Sequence, residues 1–153
     1  MATMPACSVC GFVPSTVTPP DAIVTIRSLP RRYRSALGAI PDDAAREALL
    51  MTAPPGEPHS AVGLVDEVAA ALANHATAIG ASAEVAASTS SSAALSRLES
   101  TVSTLAAALD TVKGDAWLDD RGGDTAQDRA RDAAHIGVHN LRRIPPVIDA
   151  ARS

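Results

Sequence analysis

Two short pairs of residues hold most of the chemistry in this chain. One is His135-x-x-x-His139, near the C-terminal end; the other is Cys7-x-x-Cys10-Gly11, near the start. Residues four apart on an α-helix lie on one face, one turn apart, so both imidazoles can reach a single metal ion. The same spacing also arises as two partly exposed polar side chains, and by itself leaves both readings open. The cysteine spacing suits a zinc knuckle, a redox pair, or two reduced thiols in an ordered turn. It is half of a four-ligand structural zinc site, and the sequence contains no second cysteine pair. Histidines or carboxylates from elsewhere would have to complete it. No βαβ pattern surrounds it, which argues against a disulfide oxidoreductase. Gly122-Gly123 lacks the strand and the following Lys-Ser or Lys-Thr of a phosphate loop, and no Gly-x-Ser-x-Gly elbow is present.

The elements that must position these residues read as helices. Thr18 is an N-cap before Pro19 and Pro20, and Ile23, Ile26, Leu29, Tyr33, Leu37 and Ile40 recur at helical spacing. Pro30 predicts a kink there, or two helical pieces meeting. A short helical stretch around Ala44–Leu50 leads to the turn-rich segment 53–58. A second long helix is expected over 60–79, with Val62, Leu64, Val65, Val68, Leu72 and Ile79 as its stripe. The Ser- and Ala-rich stretch 82–92 reads as a connection with little to bury, and so as the least constrained internal segment. A third helix is expected over 93–112, on Leu95, Leu98, Val102, Leu105 and Leu109. Asp124 and Gln127 look like a capping box for the last helix, which carries the histidines. Pro145 and Pro146 should break or bend it. The predicted fold class is all-α: an antiparallel four-helix bundle over 19–153 behind an irregular Cys-x-x-Cys lead-in over 1–18.

Bulk properties agree with that frame. The chain has 153 residues, the usual size of one domain, and is 46% hydrophobic but 2% aromatic. Alanine makes up much of the difference, which suits close helix packing better than a β-sandwich. A net charge of −4 gives no basic face for nucleic acid. The cluster Arg31-Arg32-Tyr33-Arg34 reads as a solvated helix face. No run of about 18 apolar residues predicts a membrane span. The start of the chain lacks a signal-peptide pattern, and the cysteines form no disulfide framework, so a cytoplasmic location is expected.

The segment Ala134-His135-Ile136-Gly137-Val138-His139-Asn140-Leu141 resembles the last-helix motif of the DinB-like superfamily, which includes YfiT-like proteins and mycothiol-dependent maleylpyruvate isomerases. Cys7-Ser8-Val9-Cys10-Gly11-Phe12 is similar to the opening of an actinobacterial branch of that superfamily. Pro58-His59-Ser60 stands where the family has Trp-Ser, and Asp115-Ala116-Trp117 falls near its Asp-Trp. The resemblance implies a divalent metal, zinc above all, held by three histidines. Two of these match His135 and His139. The third falls on Glu67, and the family aspartate three residues later falls on Ala70. Two outcomes follow: Glu67 is a carboxylate ligand in a His–His–Glu site, or the metal has been lost and only the fold kept. Asp66 points about 100° away, and His75 lies two turns, about 12 Å, beyond Glu67. Cys7 and Cys10 are secondary ligand candidates. The activity implied is metal-dependent chemistry on a thiol or thiol adduct, with a low-molecular-weight thiol as co-substrate, or hydrolysis. The alternative is a non-catalytic interaction or stress protein. No partner beyond such a thiol and a second copy of the chain is implied, and no residue is singled out as catalytic.

Overall fold

The computed structural model describes residues 6–40, 44–83, 87–120 and 123–152. Among them are five α-helices and no strand: α1 Pro19–Leu37, α2 Ala44–Met51, α3 Ala61–Ala78, α4 Ser91–Asp110 and α5 Ala126–Ala151. Short 3-10 turns at Pro14–Thr16 and Gly114–Leu118 precede α1 and α5.

Local chemistry sets the helix starts. Thr18, Ser60, Ser90 and Thr125 each accept a hydrogen bond from the backbone N–H three residues on, satisfying one of the donors a helix leaves unpaired in its first turn. In α5 the capping box is Thr125 with Asp128, not Asp124 with Gln127. The shift moves the helix start by one residue and leaves Asp124 to pair with Arg129. α4 begins at Ser91 rather than 93, because Ser90 supplies the cap.

The three internal prolines do not end their helices. Pro30 lies inside α1, and Pro145 and Pro146 lie inside α5, which runs on to Ala151. Each proline removes one backbone donor, but the flanking turns are fixed by buried side chains. Leu29 and Tyr33 flank Pro30; Ile144, Val147 and Ile148 flank the pair in α5. Burial of these stripes outweighs the lost hydrogen bonds.

The four long helices pack in a closed cycle: α1 against α5, α5 against α3, α3 against α4, and α4 against α1. Their core is Leu, Ile, Val and Ala, with Tyr33 as its one fully buried aromatic residue. Two positions let α1 approach α5 closely. Gly137 presents no side chain to α1: a Cβ there would lie 2.4 Å from Leu29 Cδ1. The Tyr33 hydroxyl donates to the Gly137 carbonyl at 2.6 Å. Asn140, fully buried on α5, donates to the Leu64 carbonyl of α3 at 3.1 Å and to Glu67 Oε1 at 2.9 Å. With Gly137 and Asn140 turned inward, the rotation of α5 about its axis is set, and His135 and His139 lie at the edge of the packed interior.

The described end of the connection, 87–92, is anchored at two points. The Asp66 carboxylate accepts from the Ser88 backbone N–H at 2.8 Å and from the Ser88 hydroxyl at 2.6 Å. Glu47 binds Ser91 in the same two-pronged way, at 2.7 and 2.6 Å. Residues 84–86 of the expected connection, 82–92, lie outside the described residues. The anchoring comes from two carboxylates on other helices, which local composition does not reveal.

Candidate metal centre

The N-terminal segment folds into a knuckle. Gly11 N–H donates to the Cys7 carbonyl, and Cys7 N–H donates to the Phe12 carbonyl, each at 2.8 Å. Gly11 has φ +74°, a left-handed conformation that glycine adopts without cost, and this lets the chain reverse after Cys10. The knuckle docks on α5. The Phe12 ring stacks on His135 with ring centroids 5.2 Å apart and planes within 5°. Further along, Arg131 Nε donates to the Val17 carbonyl at 2.8 Å.

This docking brings both sequence pairs together. Cys7, Cys10, His135 and His139 each place a donor atom within 4.8 Å of all the others. Cys7 Sγ lies 3.4 Å from His139 Nδ1. In a tetrahedral zinc site, with bonds of about 2.3 Å to sulfur and about 2.05 Å to nitrogen, that edge would be about 3.6 Å. His135 Nε2 is buried and has no hydrogen-bond partner, so its lone pair is free for a metal ion. The cluster can hold a metal ion.

Electrostatics favour a thiolate here before any metal is considered. The Cys7 thiol is held down at about 5 by backbone N–H groups and the two histidines, with the Cys10 backbone first and the His135 side chain second. Burial pushes the Cys10 thiol up instead, and the neighbouring Cys7 adds to the rise. The two thiols are therefore chemically unequal.

Glu67 is not brought to the histidine pair. Among the described residues, Glu67, His135 and His139 form no group of donor atoms close enough to share an ion. Both Glu67 oxygens are engaged elsewhere: Oε1 takes the Asn140 amide, and Oε2 lies 2.6 Å from His59 Nε2. The expected adjacency of α3 and α5 is present. What differs is azimuth: Glu67 meets Asn140, while His139, the next residue back, points about 100° away. The Cys pair, read from sequence as the secondary candidate, stands in the place expected of Glu67. Asp66 holds Ser88, and His75 lies near Arg129, with Nδ1 3.5 Å from Arg129 Nη1. Ala70 offers no ligand atom.

Two open cavities meet at the centre. One, of about 480 Å³, is lined in part by Cys7, Ser8, Arg131, Asp132 and His135. The other, of about 430 Å³, has His75, Asp132, His135 and His139 on its walls. Burial depresses the His75 pKa, with the Arg129 charge adding to the effect, and burial raises that of Asp132. Sequence reading passed over Asp132 and Asn140. Asp132 sits one turn before His135, a spacing that could have flagged it.

Comparison with known proteins adds no relative. No protein-family model, no curated protein and no solved structure matches the chain.

Proposed function

We propose that this chain is a zinc-binding protein built on an antiparallel four-helix bundle of the DinB-like type, with Cys7, Cys10, His135 and His139 as its ligands. The observation that carries the reading is the convergence of four donor atoms from the two ends of the sequence on one point. Two thiols and two imidazoles are a donor set that zinc takes in tetrahedral sites. The closed cycle of helices supports the bundle, and the order and spacing of the sequence motifs support the DinB-like assignment.

Four protein ligands complete a tetrahedral shell, whereas catalytic zinc keeps one position for water or substrate. The primary role of the ion is therefore to fasten the lead-in onto α5, and the chain acts as a non-catalytic scaffold. A second reading has a specific observation behind it. Two cavities open onto His135, and Cys7 is the more acidic thiol. If one protein ligand gives way, a low-molecular-weight thiol can take its place, and the protein becomes a metal-dependent enzyme acting on a thiol or its adduct, or a hydrolase. In either reading the bound ion supplies positive charge that keeps thiol ligands deprotonated.

The test is elemental analysis of untagged protein, followed by cobalt substitution. One equivalent of zinc is expected, lost in both Cys10→Ser and His139→Ala. A visible cobalt spectrum of tetrahedral S2N2 type is expected. If that spectrum stays unchanged when millimolar thiol is added, the scaffold role holds. If it changes saturably, the thiol-chemistry reading replaces it. Protein that takes up no metal, with all four residues intact, refutes both.

A further inference from the structure

Two arginines of α1 are paired with acids of α4. Arg27 pairs with Asp110, and Arg34 with Glu99 at 3.3 Å. On α5, Arg143 pairs with Glu57 at 3.4 Å. Arg31, Arg32 and Arg142 are different. They line one groove between α1 and α5, of about 550 Å³, whose walls include no carboxylate; Arg31 also borders the neighbouring α1–α4 groove, which holds Glu99. Among the described residues none of the three has a hydrogen-bond or ion-pair partner. The rest of the lining is largely apolar: Ala36 and Leu141 rest against the hydrophobic core, and Pro145 and Ser35 complete it.

We propose that this groove is a binding site for a phosphate monoester with a small apolar body. Three guanidinium groups around one concavity repel each other unless an anion lies among them. Guanidinium presents a planar fork that matches phosphate oxygens in pairs, and two or three such forks suit a dianion better than a single carboxylate. The apolar part of the lining gives the organic part of the ester a surface to cover, which inorganic phosphate lacks. The volume falls in the usual range of small-molecule sites. The net charge of the chain is −4, so this local excess of positive charge is not part of a generally basic surface. The groove does not depend on the metal reading, since none of its lining residues is among the four proposed ligands.

The test uses the full-length protein at low ionic strength, with phenyl phosphate, inorganic phosphate and benzoate as probes. Calorimetry should show phenyl phosphate binding at least several-fold more tightly than either of the others, and more weakly as salt is raised. Backbone amide NMR signals of residues 31–36 and 141–144 should shift in a saturable way. Arg32→Gln and Arg142→Gln should each weaken binding about tenfold, the scale of one charged hydrogen bond, while Arg27→Gln should change it by less than twofold. Arg31 and Arg142 are exposed and Arg32 is partly buried, and helical circular dichroism should confirm that the variants fold. Binding that survives both groove substitutions, shifts centred on other residues, or equal affinity for benzoate and phenyl phosphate would each overturn the proposal.

Discussion

Replacing Gly137 by alanine tests whether the close approach of α1 and α5 sets the position of the histidine pair. A Cβ at this position would meet three atoms of Leu29, at 2.4, 2.8 and 3.1 Å. The first two are far shorter than any real carbon–carbon contact, so the Leu29 side chain or one of the helices must shift. Leu29 is fully buried, which leaves its side chain no solvent to swing into. Overpacking of this sort costs about 1–3 kcal/mol. Alanine returns up to about 1 kcal/mol through its better helix propensity. The net expectation is a loss of about 1–2 kcal/mol, which for a chain of this size lowers the melting temperature by about 3–8 °C. Leu29→Ala alone should cost about 2–5 kcal/mol, by leaving a cavity. Combined with Gly137→Ala, the new methyl occupies part of that cavity, so the double variant should be more stable than the sum of the two losses by at least about 1 kcal/mol. Thermal and urea denaturation of all four proteins complete the cycle. A Gly137→Ala protein as stable as wild type, or strictly additive losses, would show that Leu29 does not hold the two helices at this separation.

Other consequences can be checked separately. Alkylation of metal-stripped protein by iodoacetamide, followed by mass spectrometry across pH, should label Cys7 before Cys10, with a midpoint for Cys7 near pH 5. Because the folded pKa of Cys7 lies below the usual thiol value, its contribution to stability is present in full above about pH 8.5. That contribution is lost as pH falls through about 5. Glu67→Gln should leave metal stoichiometry unchanged, since its oxygens serve Asn140 and His59. Loss of metal in that variant, measured by elemental analysis, would return Glu67 to the ligand set. Asp66→Ala strips two acceptors from Ser88, and amide hydrogen exchange around Ser88 should accelerate at least tenfold; unchanged exchange would mean that something other than Asp66 holds the connection.

The parts of the fold that depend on local chemistry were legible in the sequence. The Thr18 cap is where its spacing put it, the helix expected from 60 starts there, and the stripes on α1, α3 and α4 are buried except Ile79 and Leu95, which are partly buried. Those signals act over three or four residues and need no knowledge of the rest of the chain. Prolines 30, 145 and 146 do not break their helices, for the converse reason. Their local cost is visible in sequence, while the tertiary burial that offsets it is not. The anchoring of Ser88 and Ser91 is not visible in the composition of 82–92, because their partners, Asp66 and Glu47, lie on other helices.

The site divides along the same line. That His135 and His139 share a helix face follows from periodicity alone. Which carboxylate or thiol meets the histidines depends on the rotation of α5 about its own axis, and that is decided by two residues with no metal chemistry of their own. Gly137 must face Leu29 because nothing larger fits, and Asn140 must face Leu64 and Glu67 because a buried amide needs acceptors. Once both are turned inward, Glu67 is consumed by Asn140 and His59. The histidines are left facing the side from which the lead-in arrives. The buried Asn140, one residue past His139, takes the nearest carboxylate, and the donors that meet the histidines come from another segment, Cys7 and Cys10.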